Sequence, residues 1–521
     1  MLELNSASAA ADWLKGRVTG VLRTDSRQVV AGDGFLAWPG AMTDARQHVG
    51  SAMKNGATAC LVEWTGAEPY EFECPSIAGY RNLKAEGGPI AAAYFNHPSD
   101  QVDVIAVTGT NGKTSTAWWL AHALTSLKQV APMGCGFIGT LGIGAMHISG
   151  NTASPTLELT TNGLTTPDPV LLQQALHNFH KAGLHACALE ASSIGIEEHR
   201  LDGTRIRVAV FTNFTQDHLD YHGSMQAYWQ SKARLFKWPG LGTAVINIDD
   251  GKGAELAAEL TSAVHSEING AIDVWTVSCE RPARLYAQHI AHDARGVSFT
   301  VVEDQVSLSV KTQLTGQFNV SNLLGVIAAM RALGVPLYAC VAVCAALEPV
   351  SGRMERQGGS GLDPLVLVDY AHTPDAVSKA LATLRAVAIQ RGGELWCVLG
   401  CGGNRDASKR PLMGSIASEL SDHLIVTSDN PRTESPQAIA DQMLAGVVGA
   451  LHVEVELDRA LAIRQAVYQA GSKDVVLVAG KGHEDSQEIA GIKRPFSDHL
   501  QVRLALKARV SNANAAQGVH G

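Results

Sequence analysis

The chain has 521 residues, more than a single hydrophobic core normally holds, so several domains are expected. Hydrophobic residues make up 46% and charged residues 17%, which excludes a disordered chain. A formal net charge of −9 argues against nucleic acid as a main partner.

Nine cysteines are scattered without His or Cys companions at zinc spacing, and they read as reduced core residues. Residues 1–13 lack a basic region followed by an apolar stretch, so no export signal is expected. No run of about 18 apolar residues occurs, so no membrane span is expected and the cytoplasm is the natural compartment.

Along the first 98 residues, short strands are predicted around 34–38 and 59–64, with a helix near 45–55. Asn96-His97-Pro98-Ser99-Asp100 breaks this pattern as a linker. The largely apolar run at 102–107 then predicts a strand, followed at 109–114 by Gly-Thr-Asn-Gly-Lys-Thr. A strand that ends in a glycine-rich turn and opens into a helix is a phosphate-binding device. The turn aims backbone N–H groups at the phosphates, and the helix start adds partial positive charge. Lys113 would reach the β and γ phosphates, and the Thr114 hydroxyl would sit on Mg²⁺. The longer G-x-x-x-x-G-K-[ST] pattern needs Gly at 107, where this chain has Val107, so the loop is a shorter variant with Asn111 before Gly112.

A helix is predicted at 114–127. Helices at 169–182, 225–236 and 253–261 then alternate with strands at 186–189, 208–212 and 243–247, the mark of a largely parallel sheet covered on both faces. Short strands across 284–314 predict an antiparallel edge, and helices at 319–333 and 337–347 close this section. A second alternating unit begins near Gly352, with strands at 365–368, 395–399, 423–426 and 475–479. The expected fold class is α/β in three domains: an N-terminal α/β domain at 1–98, a central doubly wound, mostly parallel P-loop domain at 99–348, and a C-terminal Rossmann-like domain at 349–521. Ligands in such sheets bind beyond the carboxyl ends of the strands, which places Asp369 and residues 400–405, 427–432 and 480–484 on one edge. The small, polar tail from Val510 is expected to fray.

Four clusters carry candidate chemistry. Glu190, in Glu-Ala-Ser-Ser after a buried strand, suits magnesium beside a phosphate loop, or else caps a helix. Thr212-Asn213 and the polar run at 217–223 crowd one loop densely enough to suggest a site. Lys232 sits in Tyr-Trp-Gln-Ser-Lys, and nothing in its neighbours separates it from a solvated lysine. Arg405 and Arg432 fall on neighbouring strand-end loops and can clamp carboxylates, while Glu484 can receive an ammonium group. Together they make either a pocket for a zwitterionic amino acid or structural ion pairs.

These motifs together resemble the Mur ligase family: GTNGKT at 109–114, EASS at 190–193, DHLDYHG at 217–223, YWQSK at 228–232, GQFNVSN at 316–322, GRME at 352–355 and DYAHTPD at 369–375. The branch that adds the third residue of the peptidoglycan stem is suggested by GCGGNRDASKRPLMG at 400–414 and VAGKGHED at 478–485. Diaminopimelate as that residue is suggested by DNPR at 429–432, since relatives that add L-lysine lack the arginine.

The resemblance implies the roles. The N-terminal domain would bind the UDP-sugar, with Ser26 touching the uridine nucleotide. Thr165, Thr166, Ser192 and Arg200 would hold the muramoyl dipeptide. ATP would lie on Gly109, Thr110, Asn111, Gly112, Lys113, Thr114 and Ser115, completed by Asn319, Arg353 and Asp369. Thr114, Glu190, His218 and Lys232 would attend one or two Mg²⁺, Lys232 as a carbamate, and Lys113, Glu190, His218 and Lys232 would be catalytic. Arg405, Asp429, Asn430, Pro431, Arg432, Gly480 and Glu484 would bind diaminopimelate. Two positions depart from relatives: Glu198 stands where they carry Gln, which adds an anion near an anionic substrate, and Ile194 where they often carry His.

The implied reaction is ATP-dependent amide ligation, adding meso-diaminopimelate to the D-glutamyl carboxylate of UDP-N-acetylmuramoyl-L-Ala-D-Glu through an acyl phosphate. The implied enzyme is a monomer that closes its domains before chemistry. The rivals are an L-lysine-adding ligase, a folylpolyglutamate synthase, a non-catalytic sensor of the UDP precursor, and a generic P-loop ATPase or kinase.

Overall fold

The computed structural model describes residues 1–40, 43–127, 134–147, 156–157, 159–161, 163–263, 272–293, 296–448 and 452–517. Among the described residues, three large sheets follow one another along the chain, and a two-stranded hairpin, Ser486–Ile489 with Ile492–Pro495, lies after the last strand of the third. The first has five parallel strands in the order Leu2–Leu4, Ile77–Tyr80, Ala59–Glu63, Gly34–Ala37 and Leu22–Arg23. Alternate residues of these strands face opposite sides. Leu36 and Leu61 pack on the helices Ala7–Lys15 and Leu83–Tyr94, whereas Phe35, Cys60 and Val62 pack on the helix Val49–Lys54. The helix expected near 45–55 begins as a 3₁₀ turn, Ala45–His48. The stretch read as a linker is itself ordered, with a short 3₁₀ turn at Pro98–Asp100.

This sheet's domain sits hard against the next section. A Cβ at Gly88 would overlap the Asp202 carbonyl, and Gly203, at φ 79°, leaves no room for one against Gly88. Two backbones therefore meet where only glycine fits.

The central sheet has eleven strands. Its parallel middle runs Asp273–Ser278, Thr243–Asn247, Ile206–Phe211, Asp103–Thr108, Ala186–Glu190 and Cys135–Gly139. The antiparallel edge expected across 284–314 is three strands, Leu285–Asp293, Gly296–Glu303 and Val306–Thr312. A second antiparallel extension, Gly142–His147 with Thr156–Leu157, closes the other side and has no clear signal in the sequence. The helices Lys113–Ser126 and Gln317–Ala332 bury nearly all their apolar residues together in one core.

The third sheet has the order Glu355–Gly358, Leu365–Asp369, Val475–Ala479, Leu395–Cys401, His423–Ser428 and His452–Val455, parallel except for the first strand. This order sets the carboxyl ends of the middle four strands side by side. The turns that follow them are thereby neighbours, although they are far apart in sequence. One buried ion pair ties that edge together. Arg459 bonds Asp498 through two nitrogens at 2.7 Å, both side chains being 0% exposed. The same guanidinium reaches Ala479 O at 2.9 Å and Ser428 O at 3.4 Å, at the ends of two strands.

Seven of the nine cysteines are buried, and all nine are free thiols. No helix among the described residues is long and apolar enough to cross a membrane. The tail expected to fray from Val510 is helical in Asp498–Gln517, and 518–521 lie outside the described residues. Arg459→Met strands the buried Asp498 carboxylate and is expected to cost about 3–5 kcal/mol. Urea unfolding of the two chains checks this, and an unshifted midpoint would contradict it.

Candidate functional site

The strand Asp103–Thr108 is central in its sheet and delivers the glycine loop to the sheet's carboxyl edge. Gly109 (φ 146°) and Gly112 (φ 85°) adopt backbone shapes that favour glycine, and a Cβ on Gly109 would run into Thr212. The neighbouring strand braces the loop. Thr212 Oγ1 donates to Asn111 O at 2.6 Å, and Asn111 N donates to Asn213 Oδ1 at 2.9 Å. Thr212 and Asn213 thus shape the loop from beneath. From the far side, Asn111 Nδ2 donates to Asp375 Oδ2 at 3.0 Å, linking the loop to the C-terminal section.

Two lysines converge on one carbonyl. Lys113 Nζ donates to Gly109 O at 2.9 Å and Thr110 O at 2.8 Å, and Lys232 Nζ donates to Gly109 O at 2.8 Å. Lys232 is 1% exposed, and its ammonium lies 4.4 Å from the Tyr228 ring centroid. Burial, reinforced by the Lys113 charge and opposed by Asp217, holds the Lys232 amine well below the ordinary lysine range. Burial also lowers Lys113, against the pull of Glu190 and Asp217.

Glu190 ends its strand fully buried. Its Oε2 accepts from Thr114 Oγ1 at 2.9 Å and its Oε1 from Thr140 N at 2.8 Å. Burial raises its carboxyl despite Lys113, Thr140 and Arg353. The helix-cap reading of this cluster belongs to Ser192, whose hydroxyl accepts from Gly195 N. Thr114 and Glu190 offer hard oxygens suited to Mg²⁺. Among the described residues no group of three His, Cys, Asp or Glu side chains could hold a metal alone, so phosphate oxygens and water would complete its shell.

Asp217 gathers three groups: His218 at 3.5 Å, His372 at 3.6 Å and Lys409 at 3.9 Å. Burial alone would raise its carboxyl, but His372, with the Lys409 charge, holds it well below the usual carboxylate range. His218 is pushed down to about 3 by burial, so its imidazole is neutral at physiological pH.

A cavity of about 860 Å³ is lined by residues 110–115, Thr165, Glu190, Ser192, His218, Asn319, Arg353 and Asp369. Arg353 Nη2 donates to Thr114 Oγ1 at 3.2 Å, and its buried Nε has no protein partner. Asp369 accepts from the N–H groups of Met354 and Ala371 at 2.7 and 2.8 Å. Asn319 is held by Thr315 O at 2.8 Å. Thr166 Oγ1 donates to Glu190 O at 2.7 Å, and Arg200 donates to Thr166 O at 2.9 Å, which aligns that group along the cavity's edge.

Four further positions have distinct settings. Lys232 lies behind the loop rather than on the cavity wall. Ser26 is not on the wall of the cleft of about 240 Å³ that its neighbours Thr24, Asp25 and Gln28 line with Leu164, Asp168 and Gln174. The extra anion at Glu198 is already paired, with Lys84 Nζ at 2.8 Å and Tyr221 OH at 2.6 Å. Ile194 lies half-buried in the short helix Ser193–Glu197.

Arg405, Asp429, Asn430, Pro431, Arg432, Gly480 and Glu484 form a second group on the carboxyl edge of the third sheet, apart from that cavity. Arg405 faces Asp220 at 3.8 Å, Arg432 Nη1 donates to Gly403 O at 2.5 Å, and Asn430 Nδ2 donates to Glu484 Oε2 at 2.7 Å. Asp217 enters the sequence reading only as part of the polar run at 217–223, and Thr140 and Asp375 carry no site signal of their own there. Asp375 sits inside a quoted motif, whereas Thr140 reaches Glu190 only because the strand Cys135–Gly139 pairs with Ala186–Glu190.

Residues 107–330 match the Mur ligase middle domain, and 352–482 match the Mur ligase glutamate ligase domain. The UDP-N-acetylmuramoyl-L-alanyl-D-glutamate–2,6-diaminopimelate ligase of Acidovorax sp. (strain JS42) is 57% identical over 97% of this chain and 98% of its own. The chain belongs to the Mur ligase family. The ligase of the same name from Janthinobacterium sp. (strain Marseille) is 45% identical over 98% of this chain and 99% of its own. A solved structure bearing that name superposes on this Mur ligase with a TM-score of 0.62, at 35% identity over 94% of this chain and 95% of that one.

A carboxylate that burial raises against its neighbours' pull is held at a cost to stability. Glu190→Gln, without nucleotide or metal, is therefore expected to melt no lower than the parent chain. A melting temperature lower by more than about 5 °C would contradict that reading of Glu190.

Proposed function

We propose that this Mur ligase is an ATP-dependent acid–amino-acid ligase of the diaminopimelate-adding type. It would join meso-diaminopimelate to the D-glutamyl γ-carboxylate of UDP-N-acetylmuramoyl-L-Ala-D-Glu in peptidoglycan synthesis, in the cytoplasm. One observation carries the reading: a single cavity is walled by the phosphate loop, by Thr165 and Ser192, and by Arg353 and Asp369 of the C-terminal section. A phosphoryl donor and a carboxylate acceptor can therefore meet in it. The three domains would be 1–98, 99–348 and 349–521, serving the UDP-sugar, ATP and the amino acid respectively.

A carboxylate is a poor electrophile. Its oxygen would attack the γ phosphorus as the bond to the ADP oxygen breaks, giving an acyl phosphate. The diaminopimelate nitrogen would then attack the acyl carbon, its proton passing to solvent, and the C–O bond to phosphate would break. Protein groups need only position and neutralise. Lys113, freed from Gly109 O and Thr110 O, would turn its donors to the phosphates. The buried, unpartnered Arg353 Nε would gain an acceptor there. Asn319 and Asp369 would hold the nucleoside end, with Gly109, Thr110, Asn111, Gly112 and Ser115 in the loop.

Thr114, Glu190, His218 and Lys232 would attend one or two Mg²⁺, which neutralises phosphate charge when bound. Burial favours a neutral Lys232 amine, which can add CO₂ at Nζ with loss of one proton, and the Lys113 charge beside it favours the resulting anion. Thr165, Thr166, Ser192 and Arg200 would hold the muramoyl dipeptide, and Ser26 with its loop the uridine end. Arg405, Asp429, Asn430, Pro431, Arg432, Gly480 and Glu484 would hold diaminopimelate.

The test is direct. ATP, the UDP-dipeptide and meso-diaminopimelate together are expected to give one new amide by mass, and no new amide would end the proposal. Arg432→Ala is expected to lose about 1.5–3 kcal/mol of transition-state binding with diaminopimelate and to lose selectivity against L-lysine. Retained selectivity would remove Arg432 from its role. With ¹³C-bicarbonate, a carbamate signal is expected that Lys232→Arg abolishes, and its absence from the parent enzyme would exclude the modification.

A further inference from the structure

One buried cation on the carboxyl edge of the third sheet has no role in the scheme above. Lys481 follows the strand Val475–Ala479, in a turn between Gly480 (φ 116°) and Gly482 (φ 53°). Its side chain is 0% exposed. Nζ donates to Glu484 Oε2 at 2.7 Å and to Asn430 Oδ1 at 3.0 Å, and lies 3.7 Å from Asp429 Oδ1. Two of the ammonium's three N–H donors bond acceptors, on Glu484 and Asn430, and the third acceptor, Asp429, is a charge neighbour beyond hydrogen-bond distance. All three acceptors belong to residues assigned above to the amino acid.

Two consequences follow. The first concerns orientation. Asn430 Oδ1 receives both Lys481 and the Glu488 N–H, at 3.0 Å each, so its Nδ2 must face the other way, where it donates to Glu484 Oε2 at 2.7 Å. Both bonds to Glu484 fall on Oε2, which leaves Oε1 for an incoming ammonium. The second concerns charge. Asp429 and Glu484 carry two negative charges within reach of one another, and Lys481 cancels one of them from inside the fold. Diaminopimelate carries two ammonium and two carboxylate groups, whereas L-lysine lacks the distal carboxylate and is a net cation. A pocket without the Lys481 charge would be more negative by one unit. It would repel the carboxylates of diaminopimelate and favour the more cationic diamine.

We propose that Lys481 is a positioning and specificity-determining residue of the amino-acid pocket. It fixes Asn430 and Glu484 in place and sets the pocket's charge in favour of a doubly carboxylated diamine. The proposal rests on the reading of that pocket given under Proposed function.

Lys481→Met keeps the chain length and removes the charge. Parent and variant enzyme receive equimolar meso-diaminopimelate and L-lysine with saturating ATP and UDP-dipeptide, and the two amide products are weighed by mass spectrometry. The ratio of diaminopimelate to lysine product is expected to fall at least about tenfold. The KM for diaminopimelate should rise by a similar factor while the KM for ATP stays within about twofold. A packing role alone would leave the product ratio unchanged, or would raise both KM values together, and either result overturns the proposal. If circular dichroism shows that Lys481→Met is unfolded, Lys481→Gln gives the same readout, since it keeps a donor toward Glu484 without the charge. A parent enzyme that forms no amide with diaminopimelate would overturn the proposed function, a result distinct from an unchanged ratio.

Discussion

Two ammonium groups, Lys113 and Lys232, bond the same carbonyl oxygen of Gly109, at 2.9 and 2.8 Å. Like charges gathered in a buried place repel and lose hydration. Both amines are accordingly pushed below the ordinary lysine range. The fold tolerates this because Glu190 lies close by with its carboxylate buried. A nucleotide phosphate would satisfy Lys113, and a second negative charge at Lys232 would satisfy the rest. Two lysine amines held at one buried carbonyl of the glycine loop are the physical reason to read the loop as a phosphate site rather than a turn.

Everything else places reactants around that point. The central sheet delivers Gly109, Glu190 and the loop after Phe211 from adjacent parallel strands, so three chemically different elements share one edge. The third sheet does the same for the amino-acid group, because its strand order sets the turns after Asp369, Ala479, Cys401 and Ser428 side by side. Arg459 and Asp498 stitch that edge beneath its surface. Side-chain contacts link the two edges, among them Gln216 with Asp406 and Ser408 and Arg353 with Thr114. Asn111 meets Asp375, Asp217 meets His372 and Lys409, and Asp220 meets Arg405. Most of these links are partly exposed or long, so they can rearrange as substrates arrive, which suits the proposed placing of the reactants on different domains.

Much of this was legible in the sequence, for identifiable reasons. The parallel strands at 103–108, 186–190 and 475–479 are short apolar runs bounded by polar turns, and the glycine loop announced its own chemistry. The hairpin Gly142–His147 was not legible, because it holds three small residues and no alternation. Thr140 was invisible because only the parallel pairing of Cys135–Gly139 with Ala186–Glu190 brings it to Glu190. Lys232 read as a solvated lysine because burial is a tertiary property and helix periodicity alone does not reveal it. The charge at Glu198 read as a misfit because its partner Lys84 lies more than a hundred residues away, on a different sheet's helix. Lys481 was passed over beside Glu484 for a similar reason: its three acceptors come from two turns that only the strand order makes neighbours.

The central claim is that this site moves a phosphoryl group onto a carboxylate before the amide forms. Isotope transfer tests it most directly. The UDP-dipeptide is labelled with ¹⁸O in the D-glutamyl γ-carboxylate and turned over with ATP and meso-diaminopimelate, and the released phosphate is analysed by mass. The account expects one labelled oxygen in each phosphate, carried over when the acyl C–O bond breaks. Phosphate free of label, released together with the amide product, would contradict it.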